Sequence, residues 1–283
     1  MKKTRAFLKW AGGKYGLIDE LNNYLPEGDV LIEPFVGAGS VFLNTNYSRY
    51  ELCDINPDLI TMYRIIQKRG DRFIKDAQLY FNQEHNDSER YYEIRKEFNA
   101  CQDSYQRALM FLYMNRHGYN GLCRYNKKGI FNVPFGRYKR PYFPHHELEV
   151  FAEKSQRAKF RCCSYVTAFK DFGYGDVVYC DPPYAPISKS AQFTSYSRDG
   201  FGLEDQKRLG QLAEKAQRNG ATVVISNHDL PITRDIYQGS LLAKLQVKRT
   251  ISPKGNGRKK VAELIALYPG YLEEAKVQAN GRG

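Results

Sequence analysis

Short runs of β-branched and aromatic residues, each ending in turn residues, recur at residues 29–35, 50–55, 160–165, 176–181 and 222–227. Runs of this kind, bounded by Gly, Asn, Asp and Pro, read as strands. Between several of them lie helix-length segments of mixed polar and apolar residues, such as residues 203–219, closed by Gly220. Strand and helix in alternation predict a mainly parallel sheet. Near the end, residues 242–251 and 261–268 flank the polar stretch from Ser252 to Lys260 and read as an antiparallel pair. The predicted fold class is α/β: a Rossmann-like, doubly wound sheet finished by an antiparallel C-terminal hairpin.

The alternation stops between residues 56 and 144. Leu59, Ile60, Tyr63, Ile65 and Ile66, then Tyr105, Ala108, Leu109, Leu112 and Tyr113, fall at helical spacing. This segment is predicted as an inserted, mainly helical domain, with residues 1–55 and 145–270 forming the discontinuous main domain. The insert ends in a Gly-, Asn- and Arg-rich stretch, followed by Lys127-Lys128-Gly129 between two β-prone pieces, which predicts a hairpin. Residues 271–283 lack periodicity and are predicted to fray.

Composition narrows the function. Lysine plus arginine number 43 against 31 aspartate plus glutamate, a net charge of +12, and tyrosine and phenylalanine number 22 and 16. Such an excess favours a polyanionic partner. The cysteines at 53, 101, 123, 162, 163 and 180 form no CxxC pair and are expected to be reduced. No segment reaches about 18 uninterrupted apolar residues, so a cytosolic protein is expected. The histidines at 85, 117, 145, 146 and 228 have no ligand or triad spacing; they are expected at the surface or at caps, and no metal site is expected.

Four residues carry the sharpest chemical signal. Asp181-Pro182-Pro183-Tyr184 ends an apolar run. The carboxylate can accept one N–H of an amino group, the Pro182 carbonyl can accept the other, and the tyrosine offers a face for a base. Two acceptors that hold an exocyclic amine out of its ring plane prepare it to attack, which suits N-methyl transfer. Taken alone, the same four residues read equally well as a proline-rich turn. Glu33-Pro34-Phe35-Val36-Gly37-Ala38-Gly39-Ser40 follows the first strand; its glycines allow close backbone approach to a ligand. Phe42 stands where a dinucleotide fingerprint needs Gly or Ala, and no Lys-Ser/Thr pair follows, so a nicotinamide site or P-loop is disfavoured. Asp54, 17 residues after Gly37, suits ribose hydroxyls, and the set fits an adenosine ligand such as S-adenosylmethionine. Lys9-Trp10-Ala11-Gly12-Gly13-Lys14 could receive a carboxylate-bearing cofactor, or could be a basic, solvated tail.

In their order along the chain, Lys9-Trp10-Ala11-Gly12-Gly13-Lys14, the glycine loop through Gly39, Gly118-Tyr119-Asn120-Gly121-Leu122, Phe131-Asn132-Val133-Pro134-Phe135-Gly136 and Asp181-Pro182-Pro183-Tyr184 resemble the Dam-type adenine-N6 DNA methyltransferases, which modify GATC. The resemblance spans about residues 5 to 268. It implies a methyltransferase sheet that uses S-adenosylmethionine, with the insert as target-recognition domain. It further implies base flipping in duplex DNA, a monomer near the nucleoid, and roles in mismatch repair, replication control or restriction protection. Trp10, Lys14, Phe35, Gly37, Gly39, Asp54 and Asp181 match cofactor-lining positions, and Tyr184 the residue that stacks on the extruded adenine. Tyr119 and Asn120 match residues that enter the duplex. Leu122, Arg124 and Pro134 match readers of the target, and Lys9 the contact to the first guanine. Arg95, Asn126, Asn132, Arg137 and Tyr138 match residues that hold phosphates or brace the hairpin. Two other readings stand beside this one: amino-methylation of RNA or a protein glutamine, disfavoured by Asp rather than Asn at 181, and an inactive DNA-binding regulator.

Overall fold

The computed structural model describes residues 3–170, 172–184, 201–245 and 262–270. In chain order the elements are α1 (Ile18–Leu21), β1 (Val30–Glu33), α2 (Ser40–Asn44), β2 (Arg49–Asp54), α3 (Pro57–Gln78), α4 (Ser88–Ala100), α5 (Ser104–His117), α6 (His145–Lys154), β3 (Ala158–Cys162), α7 (Tyr165–Ala168), β4 (Val177–Cys180), α8 (Leu203–Arg218), β5 (Thr222–His228), α9 (Pro231–Ile236), β6 (Leu241–Leu245) and β7 (Glu263–Tyr268). The seven-stranded sheet has the order β3-β2-β1-β4-β5-β7-β6. β1 pairs in parallel with β2 and β4, and β4 with β5; β7 is antiparallel to both β5 and β6. The α/β class and the antiparallel finish are as the alternation predicts. One strand is displaced: β3 ends at Cys162, and the Ser164 side chain instead accepts from the Thr167 N–H at 3.3 Å, capping α7. Residues 246–261 and 271–283, which hold the rest of the predicted strand 242–251, the lysine-rich turn and the predicted tail, lie outside the described residues.

The chain divides into two compact units. The first comprises Met1–Tyr15, Val36–Thr45 and Asp54–Cys162; the second comprises Gly16–Phe35, Asn46–Cys53 and Cys163–Gly283. All of the predicted insert falls in the first.

Helix α3 organises the first unit. Asn56 caps it, its Oδ1 accepting from the Asp58 and Leu59 N–H groups at 3.0 and 3.2 Å, and Pro57 occupies the first turn, where no N–H is needed. Leu59, Met62, Tyr63 and Ile66 line a buried stripe. Phe7, Phe42, Tyr63, Phe151 and Phe160 form an aromatic cluster with several edge-to-face pairs, Phe7 and Phe151 lying 5.0 Å apart at 82°. Arg107 makes a two-pronged bond to Asp58, at 2.5 Å from Nε and 3.0 Å from Nη2, and the Tyr125 hydroxyl also donates to that carboxylate.

In the second unit, β1 and β4 are buried along their whole length and β5 over six of its seven residues, as parallel strands with continuous apolar runs should be. Leu209, Ala213 and Ala216, at helical spacing on α8, share a core with Val30, Val178, Val223, Ile225 and Leu264. Cys180 faces Ile225 across the parallel pair, and His228 faces Glu263 across the antiparallel one. The C-terminal ends of β4 and β5 and the first residue of β7 therefore meet at one edge of the sheet, where ligands of open α/β sheets bind.

Candidate active site and recognition hairpin

At that edge Asp181 follows β4 directly. Ser226 Oγ lies 3.2 Å from Asp181 Oδ1 and 2.9 Å from the Tyr179 hydroxyl. A carboxylate only accepts, so the chain runs Tyr179 to Ser226 to Asp181. Ser226 and Tyr179 are buried. The Tyr184 hydroxyl donates to Glu263 Oε1 at 2.6 Å, and its ring meets His228 edge to face at 4.2 Å. Burial, with the Asp181 and Glu263 carboxylates nearby, pushes the Tyr184 phenol far above its ordinary value, so it stays protonated and can keep that donation. Pro182 is buried and Pro183 exposed. Phe35 stacks on Tyr165 at 5.5 Å and meets Phe201 edge to face. Sequence reasoning missed Ser226 and Glu263, which become visible only once strand register brings them beside Asp181.

The glycine loop belongs to the first unit. Gly37 has φ +47°, and a Cβ there would lie 2.9 Å from Trp10 Nε1, so only glycine fits without strain. Its N–H donates to Asp54 Oδ2 at 3.1 Å and its carbonyl accepts from the Tyr63 hydroxyl at 2.6 Å. Asp54 Oδ1 accepts from the Asn56 N–H at 2.9 Å. Burial pushes the Asp54 carboxyl up, and backbone N–H donation from Asn56, Gly37 and Ile55 opposes that rise. Gly39, φ +72°, precedes α2. Lys14 is buried rather than part of a solvated tail, and its Nζ donates to the Gly12 carbonyl at 3.3 Å.

The predicted hairpin is a hairpin held by side chains rather than by a ladder. Only isolated bridges join it, Tyr125 to Phe131 and Gly118 to Phe135. Asn126 Oδ1 closes the turn by accepting from the Lys128 and Ile130 N–H groups, and Asn126 N–H donates to the Ile130 carbonyl at 2.9 Å. Three α4 residues spaced by four take the groups a neighbouring strand would take. The Tyr91 hydroxyl and Arg95 Nη1 donate to the Val133 carbonyl at 3.0 and 2.9 Å, and Asn99 bonds both the N–H and the carbonyl of Phe131. Arg124 reaches across to Asn132, Nε to Oδ1 at 2.8 Å and Nη2 to the carbonyl at 3.2 Å. Arg95, Asn126 and Asn132 are thus braces in this structure.

The loop before the hairpin is presented outward. Tyr119 is 51% exposed, and its N–H donates to the Pro134 carbonyl at 2.8 Å. Asn120 sits at φ +53°, its N–H donating to the Tyr138 hydroxyl at 3.0 Å. Lys9 Nζ lies 3.7 Å above the Tyr138 ring and donates to the Arg116 carbonyl at 3.3 Å. A Cβ at Gly121 would overlap Lys9 Cβ, so this glycine admits the lysine. Burial and the Arg116 charge bring Lys9 down to about 8. Leu122 is half-buried; Pro134, Arg124 and Arg137, the last at φ +50°, are exposed. The residues predicted to enter the duplex, read the target or hold its phosphates all fall in the first unit.

Two expectations change. His117 is not at the surface: it is fully buried against Tyr113 and Phe81, its Nδ1 3.0 Å from the Tyr113 carbonyl, and burial brings it down to about 4. His228 is likewise half-buried against Tyr184. The six cysteines are free, and burial pushes the Cys123 thiol up to about 12. Among the described residues no cluster of His, Cys, Asp or Glu could hold a metal, and no helix is long and apolar enough to cross a membrane.

Comparison with known proteins agrees with this geometry. Residues 10–251 match the model of the D12 class N6 adenine-specific DNA methyltransferases. The DNA adenine methylase of Salmonella typhi is 55% identical over 98% of this chain and all of its own length, and that of Escherichia coli K12 matches equally. The DNA adenine methylase of Vibrio cholerae is 56% identical over 96% of this chain and 99% of its own. The chain therefore belongs to the D12 class of N6 adenine-specific DNA methyltransferases and is a site-specific adenine methylase.

Proposed function

We propose that the enzyme acts on adenine in duplex GATC, after turning the base out of the helix, with S-adenosylmethionine as methyl donor. The observation that carries the reading is the pairing of a partly buried Asp181, fed by Ser226, with Tyr184 held by Glu263: a carboxylate acceptor and a stacking face, suited to an aminated base. Adenine N6 is unreachable inside a duplex, so flipping is required, and exposed Tyr119 can fill the space the base leaves. Family membership favours S-adenosylmethionine, and the glycine loop fits it. Close packing of Trp10 on Gly37 and the Asp54 carboxylate, which keeps acceptor capacity beyond the backbone N–H groups it bonds, suit an adenosine with ribose hydroxyls. Trp10, Lys14, Gly37, Gly39 and Asp54 would hold the cofactor, which when bound supplies a methyl group made electrophilic by its sulfonium. Asp181 and the Pro182 carbonyl accept the two N6 hydrogens and turn the nitrogen lone pair outward. Tyr184 stacks on the ring. Transfer would form the N–C bond as the donor's carbon–sulfur bond breaks with its electron pair left on sulfur; N6 would become cationic and lose its surplus proton to solvent. Positioning and electrostatics supply the acceleration.

In recognition, Leu122, Arg124 and Pro134 read base edges, Lys9 contacts a guanine, and Arg137 holds a phosphate. An arginine fork matches guanine O6 and N7, and apolar groups suit the thymine methyl. The catalyst is read as a monomer in the cytoplasm, at the nucleoid. Transfer of labelled methyl to GATC duplexes with each base pair altered singly tests the specificity; equal methylation of duplexes lacking GATC overturns it. In the same assay Arg124→Ala should lose about 1–3 kcal/mol of discrimination at one guanine, and Arg137→Ala should weaken all sequences alike and lower the salt slope by about 1. An equal loss on every sequence from Arg124→Ala would make the Arg124–Asn132 brace its whole role.

The Lys9 value gives this reading a pH signature. A lysine near 8 carries its charge below that pH and loses it above. KM for duplex should therefore rise between about pH 7 and about pH 9, and the rise should be absent in Lys9→Arg, whose charge persists throughout. A pH-independent KM for the parent enzyme removes Lys9 from the contact.

A further inference from the structure

The first turn of α8, Leu203-Glu204-Asp205-Gln206, reads as solvent-facing, yet Gln206 is buried. Its Nε2 donates to the Pro183 carbonyl at 2.8 Å, and its Oε1 accepts from Asn227 Nδ2 at 3.0 Å and from the Tyr237 hydroxyl. Asn227 and Tyr237 are fully buried. The Pro183 oxygen can only accept, so the amide has one orientation that satisfies all three partners. The turn carrying it is anchored: Asp205 Oδ2 accepts from the Gly202 N–H at 3.0 Å and Oδ1 from the Tyr165 hydroxyl at 2.9 Å.

The bond falls on the one backbone torsion of the Pro182-Pro183 pair that the sequence leaves open. Ring closure fixes φ of both prolines, and Pro183 confines Pro182 to extended ψ. What remains is ψ of Pro183, which sets the peptide plane leading into Tyr184. Pro183 is exposed, so packing around its ring does not set that plane. The Gln206 bond to its carbonyl does.

We propose that Gln206 is a positioning residue for methyl transfer, fixing the Pro183–Tyr184 peptide so that the Pro182 carbonyl and the Tyr184 ring meet the adenine together, with Asn227 and Tyr237 holding its amide in the productive orientation. This rests on reading Asp181-Pro182-Pro183-Tyr184 as the loop that binds the amino group. A misplacement of the reacting nitrogen by about an ångström is enough to lower a rate about 100-fold.

The test uses the full-length enzyme, a GATC duplex and labelled S-adenosylmethionine under single-turnover conditions, with calorimetric Kd values for cofactor and duplex. Gln206→Met, similar in length but unable to donate, should lower the single-turnover rate by about 10- to 100-fold and leave both Kd values within about threefold. Leu209→Ala, in the same helix and core, reports what destabilisation alone does; below its melting temperature it should keep the parent rate. If Gln206→Met does not fold, Tyr237→Phe carries the test: losing one donor to the amide should lower the rate by at least about threefold. A rate unchanged in Gln206→Met (or in Tyr237→Phe where that stands in), or an equal loss in Leu209→Ala, overturns the proposal. Asp181→Ala keeps the two claims apart: a normal rate there sinks the reading of the loop, whereas an inactive Asp181→Ala beside an active Gln206→Met sinks only the role of Gln206.

Discussion

Replacing Asp181 by alanine is expected to cut single-turnover methylation by at least ~10²-fold, the cost of removing one preorganised polar group from a transition state. Duplex binding should be nearly unchanged, because the residues predicted to enter the duplex, read the target or hold its phosphates lie in the other compact unit. The Ser226 hydroxyl sharpens the expectation. It donates to Asp181 Oδ1, so in the alanine variant the buried donor chain from Tyr179 loses its charged acceptor and keeps only the longer contact to the Cys180 carbonyl at 3.5 Å. Ser226→Ala should consequently lower the rate too, by less, since it removes a contact to the carboxylate and leaves the carboxylate in place. Rapid-quench measurement with labelled methyl donor reads both. Methylation by Asp181→Ala at the parent rate would remove the central chemical claim.

Asp54→Ala should weaken S-adenosylmethionine binding by roughly 1.5–3 kcal/mol, the worth of a hydrogen bond to a charged group. That is about 10- to 150-fold in Kd. Sequence preference should stay as it is. The carboxylate also accepts from Gly37 and Asn56, so part of the loss arises from a loosened glycine loop. Asp54→Asn separates the two contributions: its one acceptor oxygen can satisfy one of those N–H groups, and it should fall between parent and alanine variant in calorimetric titration. An unchanged cofactor Kd in Asp54→Ala tells against ribose binding at this position.

Several features were legible before any coordinates because they rest on local chemistry. Apolar runs gave β1, β4 and β5, and the helical spacing of Leu59, Ile60, Tyr63 and Ile66 gave α3. The proline pair and the glycine loop name themselves. What stayed hidden depends on register and packing. Gln206 sits in a first turn beside two acidic residues, and nothing local distinguishes it from a solvated glutamine; β5 and α9 bring Asn227 and Tyr237 to it. Glu263 begins a strand whose antiparallel pairing with β5 decides that it faces Tyr184. The burial of His117 is not legible locally: it ends a helix buried on every side from Ala108 onward, and Phe81 closes over it from a distant segment.

The hairpin's dependence on α4 limits how its register can change. Four residues of helix rise about 6 Å, and two residues of extended chain span about 6.6 Å. Arg95 and Asn99, one four-residue step apart on α4, therefore match the pitch of the chain from Val133 to Phe131, and Tyr91 adds a second donor to the Val133 carbonyl. Two strands that pair only with each other can slide by a residue when their turn gains or loses one. Here the returning segment is gauged against a helix that does not move with the turn. The tip at residues 127–129 can accept a change of length while Phe131 and Val133 stay where they are, and with them the outward placement of Pro134. If the hairpin reads the target as proposed, its tip can change length while Pro134 keeps its outward placement.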